Sequence, residues 1–159
     1  MSSLEKDKIL FIVNPISGVG KQKKIENAVE KYLDKEKFDY KIAYTFYPHH
    51  ATAIAIASVI KNYDIIVAVG GDGSINDCVK GLFSTGATLG IIPTGSGNGL
   101  ARCLNIPLSI KEAMQTINNK KIIDIDTISL NNTIYASIAG IGFDALIAKE
   151  FSKVRSRGF

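Results

Sequence analysis

Three short apolar runs, residues 8–14 (KILFIVN), 64–69 (DIIVAV) and 88–92 (TLGII), each lead into a segment dense in glycine. An apolar run this short, with no polar residue at every second position, is the pattern of a strand buried on both faces. Such strands need helices on either side of the sheet, and the intervening sequence supplies them. Residues 21–35 place apolar side chains at helical spacing in a background of Glu and Lys, and residues 51–62 are rich in Ala and Ile. Residues 75–83, 98–104 and 109–118 read as further helices, the last with Ser109 as N-cap and Glu112 three residues on. Residues 39–47 alternate Tyr40, Ile42, Tyr44 and Phe46, which predicts another strand. Strands alternating with helices predict an α/β fold: a doubly wound, mostly parallel sheet with helices on both faces. That class binds ligands outside the carboxyl ends of its strands, where the glycine-rich segments lie.

The chain has 159 residues, enough for one domain or for one domain and part of another. Its hydrophobic fraction of 46% and charged fraction of 21% are those of a globular protein. A net charge of +4 suits a binder of phosphates or anionic surfaces and is too small to argue for nucleic acid. The lysines between Lys21 and Lys24 read as the solvated face of a helix. Cys78 and Cys103 stand singly in apolar surroundings without a CxxC partner, which argues against zinc and predicts two buried free thiols. No run approaches the roughly 20 apolar residues of a transmembrane helix, and residues 1–8 lack the apolar stretch of a signal peptide. The expected location is cytoplasmic.

The pattern changes after Lys121. Residues 122–130 and 134–141 are strand-like runs separated by Asn131, Asn132 and Thr133, a hairpin signal, and residues 143–154 have helical character. A hairpin and one helix do not make a core. The expected organisation is therefore an α/β domain over residues 1–121, followed over 122–159 by the first strands of a truncated, mainly β second domain. Strands left uncovered in this way also leave self-association into a homo-oligomer open.

The glycine-rich segments are Asn14-Pro15-Ile16-Ser17-Gly18, Gly70-Gly71-Asp72-Gly73-Ser74-Ile75-Asn76, and Pro93-Thr94-Gly95-Ser96-Gly97-Asn98-Gly99. Glycine lets backbone N–H groups approach a ligand closely, and several such turns at one sheet edge point to phosphates. Sharper motifs fail. Residues 18–21 faintly resemble a Walker A loop, but Pro15 occupies its first glycine position and Gln22 its Ser/Thr position. Gly95-Ser96-Gly97 lacks the glycines two residues either side of serine that a nucleophile elbow needs. The two histidines, His49 and His50, are adjacent and suit a polar strand-to-helix turn better than a metal site.

These three segments, with Leu100-Ala101-Arg102 after the third, resemble the signature blocks of the diacylglycerol kinase catalytic domain. That family includes bacterial lipid kinases and the sphingosine and ceramide kinases. The resemblance runs from Ile9 to about Asp144, with supporting pieces at Thr45, His50-Ala51 and Gly142-Phe143-Asp144-Ala145. It implies ATP and Mg²⁺ as cofactors and a lipid alcohol at the membrane surface as acceptor: diacylglycerol, a sphingoid base or a relative. It further implies that Asn14, Pro15, Ile16, Ser17 and Gly18 line the adenine-ribose end of the nucleotide site. Thr45 and Gly70, Gly71, Asp72, Gly73, Ser74, Ile75 and Asn76 would hold the nucleotide, with Ser96 reaching its phosphates. Asp72 is the candidate catalytic residue. A structural alternative for it is a side chain that bonds the backbone of its own turn. Asp144 resembles a head-group contact, Arg155 and Arg157 phosphate-binding arginines, and Asp126 a structural aspartate between domains. The metal ligands stay unknown. In complete relatives a second, mostly β domain carries most of the lipid site, so the 159-residue chain is expected to be inactive without it. Two rivals stand beside this expectation. One is an NAD or sugar-phosphate kinase sharing the GGDG sequence; the other is a nucleotide-binding module without turnover.

Overall fold

The structure, a computed structural model, describes residues 5–15, 22–136, 146, 147 and 150. Strands β1 (Asp7–Val13), β2 (Phe38–Tyr44), β3 (Ile65–Gly70) and β4 (Thr88–Pro93) form one parallel sheet in the order β2-β1-β3-β4. Helices α1 (Gln22–Tyr32), α2 (His50–Ile60) and α3 (Asp72–Leu82) connect successive strands, and α4 (Gly99–Cys103) and α5 (Ile110–Asn118) follow β4.

Uninterrupted apolar runs work here because each central strand feeds two cores. Ile9, Phe11 and Val13 of β1, with Ile65, Val67 and Val69 of β3, meet Ile25, Val29 and Leu33 of α1 and Ala113, Met114 and Ile117 of α5. The intervening Leu10, Ile12, Ile66 and Ala68 meet Ala51 and Ala55 of α2, Ile75, Cys78 and Leu82 of α3, and Leu100 and Ala101 of α4. Side chains alternate across a strand, so a run that is apolar at every position is what a two-faced core demands.

The strand order fixes where a ligand has room. From β1 the chain steps outward to β2, then crosses back over β1 to β3 and continues to β4. The direction of winding reverses between β1 and β3, and the loops leaving their carboxyl ends diverge to opposite faces. Asn14 and Gly70 stand at that opening.

Several details differ from the sequence expectation. The helix expected from residue 75 starts at Asp72, so half of the GGDG sequence is a first helical turn; Gly71, extended at φ −94° and ψ −172°, precedes it. An aspartate at that position suits the positive end of the helix dipole. β2 ends at Tyr44, leaving Phe46 outside the sheet and 81% exposed. Cys103 is exposed and only Cys78 is buried, because α4 is one short helix whose core-facing positions are Leu100 and Ala101. Burial, with Asp77 adding to it, pushes the Cys78 thiol up to about 12. Ser109 does occupy the N-cap of α5 but makes no side-chain capping bond.

The predicted hairpin is present over its described residues: β5 (Ile128–Leu130) pairs antiparallel with β6 (Thr133–Tyr135), while residues 137–141 of the expected second strand and most of the expected helix over 143–154 lie outside the described residues. Asn131 and Asn132 both take left-handed backbone (φ 48° and 59°), as a two-residue turn requires. Residues 121–127 are exposed and outside any strand. The hairpin stays separate from the four-stranded sheet and leans on α3: the Ala136 N–H donates to Asn76 Oδ1 at 3.4 Å, and the Lys80 ammonium lies 5.7 Å from the Tyr135 ring centre. Among the described residues no helix is long and apolar enough to cross a membrane.

Candidate functional site

The carboxyl edge of the sheet is built by backbone-to-backbone contact between turns. Past β1, the Asn14 N–H donates to the Val69 carbonyl at 3.1 Å, which holds the first turn against β3. The Asn14 side-chain amide donates to Ser74 Oγ at 3.2 Å, tying the same turn to the start of α3. The Thr45 N–H donates to the Val13 carbonyl at 3.0 Å, so the buried Thr45 lies beside the end of β1. The Thr94 N–H donates to the Gly70 carbonyl at 2.9 Å and joins the third turn to the second.

The second and third turns then touch where neither has a side chain. A Cβ on Gly95 would sit 2.5 Å from the Gly71 Cα, and one on Gly71 would sit 3.2 Å from the Gly95 Cα. Any side chain at Gly95 would force the two turns apart. Asn98 holds the third turn from inside. It is buried and left-handed (φ 54°); its Oδ1 accepts from the Gly95 N–H at 3.0 Å and its Nδ2 donates to the Gly95 carbonyl at 2.7 Å. Asparagine tolerates that backbone better than most residues. Arg102, one turn into α4, donates from Nε to the Gly97 carbonyl at 3.0 Å.

Asp72 sits where these turns converge. Its Oδ2 lies 2.9 Å from the position a Gly97 Cβ would occupy, so the bare Cα of Gly97 leaves the carboxylate its room. Its Oδ1 is shut off from solvent and has no hydrogen-bond partner among the described residues. An orphaned buried oxygen costs about 1–3 kcal/mol, and native proteins keep few of them. That oxygen therefore does not serve the turn-bonding role that was the structural alternative for Asp72. It is a vacant acceptor position, suited to a hydroxyl, a water or a cation. Gly73, next along, faces open space: a Cβ there would meet nothing within 4 Å.

Of the residues that the sequence assigns to the nucleotide, Asn14, Thr45, Gly70, Gly71, Asp72, Gly73, Ser74 and Ser96 lie at this edge, with Pro15 directly after Asn14. Ser96 is exposed and Thr45 buried. Two others are engaged elsewhere. The Ile75 side chain is in the α2–α3 core and its N–H already donates to the Gly71 carbonyl; Asn76 Oδ1 accepts from Ala136. Ile16, Ser17, Gly18 and Asp144 lie outside the described residues, as do Arg155 and Arg157; Asp126 is exposed in the irregular stretch 121–127. Among the described residues no three His, Cys, Asp or Glu side chains gather as a metal site would need. His49 pairs with Asp77 (Nδ1 to Oδ1, 3.0 Å), and His50 Nδ1 accepts from the Phe46 N–H at 3.2 Å; both fasten the start of α2. Neither Asn98 nor Arg102 received a role from the sequence. An Asn flanked by glycines before a helix was the available signal for the first, while the reach of Arg102 back to Gly97 has none.

The diacylglycerol kinase catalytic domain profile matches residues 8–130. The chain belongs to that family. Among curated family relatives, diacylglycerol kinase of Bacillus subtilis (strain 168) is 35% identical over 135 residues, covering 83% of this chain and 45% of its own. That of Mycobacterium tuberculosis (strain H37Rv) is 29% identical over 154 residues, covering 93% and 50%. A solved structure described as a diacylglycerol kinase from Bacillus anthracis superposes with a TM-score of 0.75 at 26% identity, covering 97% of this chain and 55% of its own. The chain thus spans about half the length of these diacylglycerol kinases.

Proposed function

We propose that this chain is the nucleotide-binding portion of an ATP-dependent lipid kinase that transfers the γ-phosphoryl group to the hydroxyl of diacylglycerol, a sphingoid base or a related lipid alcohol. The observation that carries the proposal is the convergence of glycine-rich turns on Asp72, whose Oδ1 is buried and has no partner among the described residues. The kinase family supports ATP as donor. Phosphates fit the arrangement because Gly73 opens onto unfilled space beside the first turn of α3, whose free N–H groups favour anions. Mg²⁺ would arrive with the nucleotide and neutralise charge on its phosphates. Asp72 is the described carboxylate that could reach it, most simply through water.

In the reaction the acceptor hydroxyl oxygen forms a bond to the γ-phosphorus as the bond to the β–γ bridging oxygen breaks, and ADP leaves. The hydroxyl proton must go to a base. In this reading Asp72 would orient that hydroxyl and take its proton, and the packed glycine turns would keep bulk away from the reacting phosphate. We further propose that residues 122–159 begin a second, mainly β domain which carries the lipid site, since the β5–β6 hairpin forms no part of the four-stranded sheet. The protein would then work in the cytoplasm in peripheral contact with a membrane surface.

Asp72→Asn tests this reading, with radiolabelled ATP and each candidate lipid supplied to the whole protein. The variant should lose about two or more orders of magnitude in kcat while ATP affinity changes little. Unchanged turnover at saturating ATP would remove Asp72 from the chemistry. ATP binding with transfer to no lipid would leave only a nucleotide-binding module.

A further inference from the structure

The three turns carry a charge problem. Among their described residues (Asn14, Pro15, Gly70 to Ser74, and Thr94 to Asn98) Asp72 is the only charged side chain, and it is negative. A nucleoside triphosphate brings about four further negative charges, and phosphoryl transfer is accelerated chiefly by cationic donors that meet the charge on the transferred group. Backbone dipoles and a metal ion supply part of that. A side-chain cation fixed to the turns would supply more.

Arg102 fits the requirement. Its Nε–H is committed to the Gly97 carbonyl at 3.0 Å, and Gly97 is the residue whose Cα faces Asp72 Oδ2. The bond anchors the plane of the guanidinium to the third turn. Arginine has five N–H donors, and the four on its Nη atoms have no partner among the described residues. The side chain is exposed, so a ligand can reach it. A guanidinium held by Nε with its Nη pair free is oriented to bind phosphate oxygens two at a time.

Resting on the functional reading above, we infer that Arg102 grips the β- and γ-phosphates of the bound nucleotide and so determines the preference of the site for a triphosphate. Arg102 has two duties in this account. Nε positions the third turn beside Asp72, and the Nη groups touch the phosphates.

Calorimetric titration of the 159-residue chain with ATP and with AMP separates these duties. AMP keeps the base, ribose and α-phosphate but lacks the groups Arg102 would grip. Arg102→Gln should weaken ATP binding by about tenfold or more and leave AMP binding within about twofold. Arg102→Lys, which retains charge without the fork, should fall between the variant and the unmodified protein. The salt dependence of ATP binding should also be shallower in Arg102→Gln. Equal losses for ATP and AMP would overturn the inference by reducing Arg102 to a support for Gly97. Unchanged affinity for both would place it in solvent and overturn it as well. If Arg102→Gln does not fold, Arg102→Lys decides: a lysine variant with the ATP-to-AMP ratio of the unmodified protein refutes a gripping fork. Failure of the unmodified chain to bind either nucleotide would sink the functional reading and this inference together. ATP binding indifferent to both substitutions would sink only the inference.

Discussion

Glycines that look alike in the sequence have opposite physical roles at the site. Gly95 abuts backbone, whereas Gly73 faces empty space. Gly95→Ala should therefore strain the protein itself, costing about 1–3 kcal/mol as an overpacked contact, with a lower Tm. Gly73→Val should leave Tm nearly unchanged and abolish ATP binding, because its side chain would fill only the volume that the phosphates need. Thermal melts beside ATP titrations distinguish the two, and a Gly73→Val protein that binds ATP normally would move the phosphates elsewhere. The glycine clusters were readable in the sequence as turns gathered at one sheet edge, since glycine frequency after apolar runs is a one-dimensional signal. Which glycine abuts protein and which faces open space was not readable, because Gly71 and Gly95 meet across 23 residues of intervening chain. The crowding of Asp72 was equally hidden: its Oδ2 faces Gly97, a residue of another turn.

Among elements, the end of α1 is secured by a residue far away in the sequence. Asn118, the last residue of α5, donates from Nδ2 to the Tyr32 carbonyl at 2.7 Å and accepts the Asp34 N–H on Oδ1 at 3.0 Å. Its side chain satisfies both an orphan carbonyl and the N–H that follows it at a helix C-terminus. Asn118→Ala should cost about 1–3 kcal/mol, read as a Tm decrease of about 2–4 °C per kcal/mol in a chain of this size. Helix C-termini in these crossovers lie at the amino edge of the sheet, opposite the glycine turns, so ATP affinity should be unaltered. An equal loss of affinity would mean the two edges are coupled. Elements themselves were largely evident from periodicity: the nine over residues 7–118 are all present, with ends shifted by a few residues. The ends shifted where local propensity met a tertiary constraint. α3 begins early because a packed turn delivers Gly71 extended, and Tyr44 closes β2 because the chain must turn toward α2. Tyr44 is also where α1 and β2 are pinned, its hydroxyl donating to Glu26. Burial, followed by that bond, raises its pKa to about 12.

At the scale of the whole molecule, the chain divides by how its backbone is protected. β1 and β3 are inner strands covered on both faces, while β5 is exposed along its full length and β6 is half-buried. Amides of Ile9 to Val13 and Ile65 to Val69 should exchange with solvent deuterium about a thousandfold or more slower than those of Ile128 to Leu130. Uniformly slow exchange through β5 and β6 in a monomer would contradict the division at residue 121. The doubly wound class and the parallel sheet were deducible from the strand–helix alternation alone. The extent of the hairpin was not: residues 122–127 are as apolar as a strand, yet Ile122, Ile123 and Ile125 lie exposed outside any ladder. Apolar content reports a tendency to be covered and is silent about what covers it.

The contact between Gly71 and Gly95 also limits how such a site can change over generations. Two positions that meet through bare backbone have no smaller residue to retreat to, so an added methyl on one cannot be offset by trimming the other. Ordinary compensation, in which one side chain shrinks as its neighbour grows, is closed at this point. Variation has to enter where new atoms meet solvent, as at Ser96. A mutational library spread evenly over the three turns would therefore return survivors clustered on the outward-facing rim, with the seam between the turns blank.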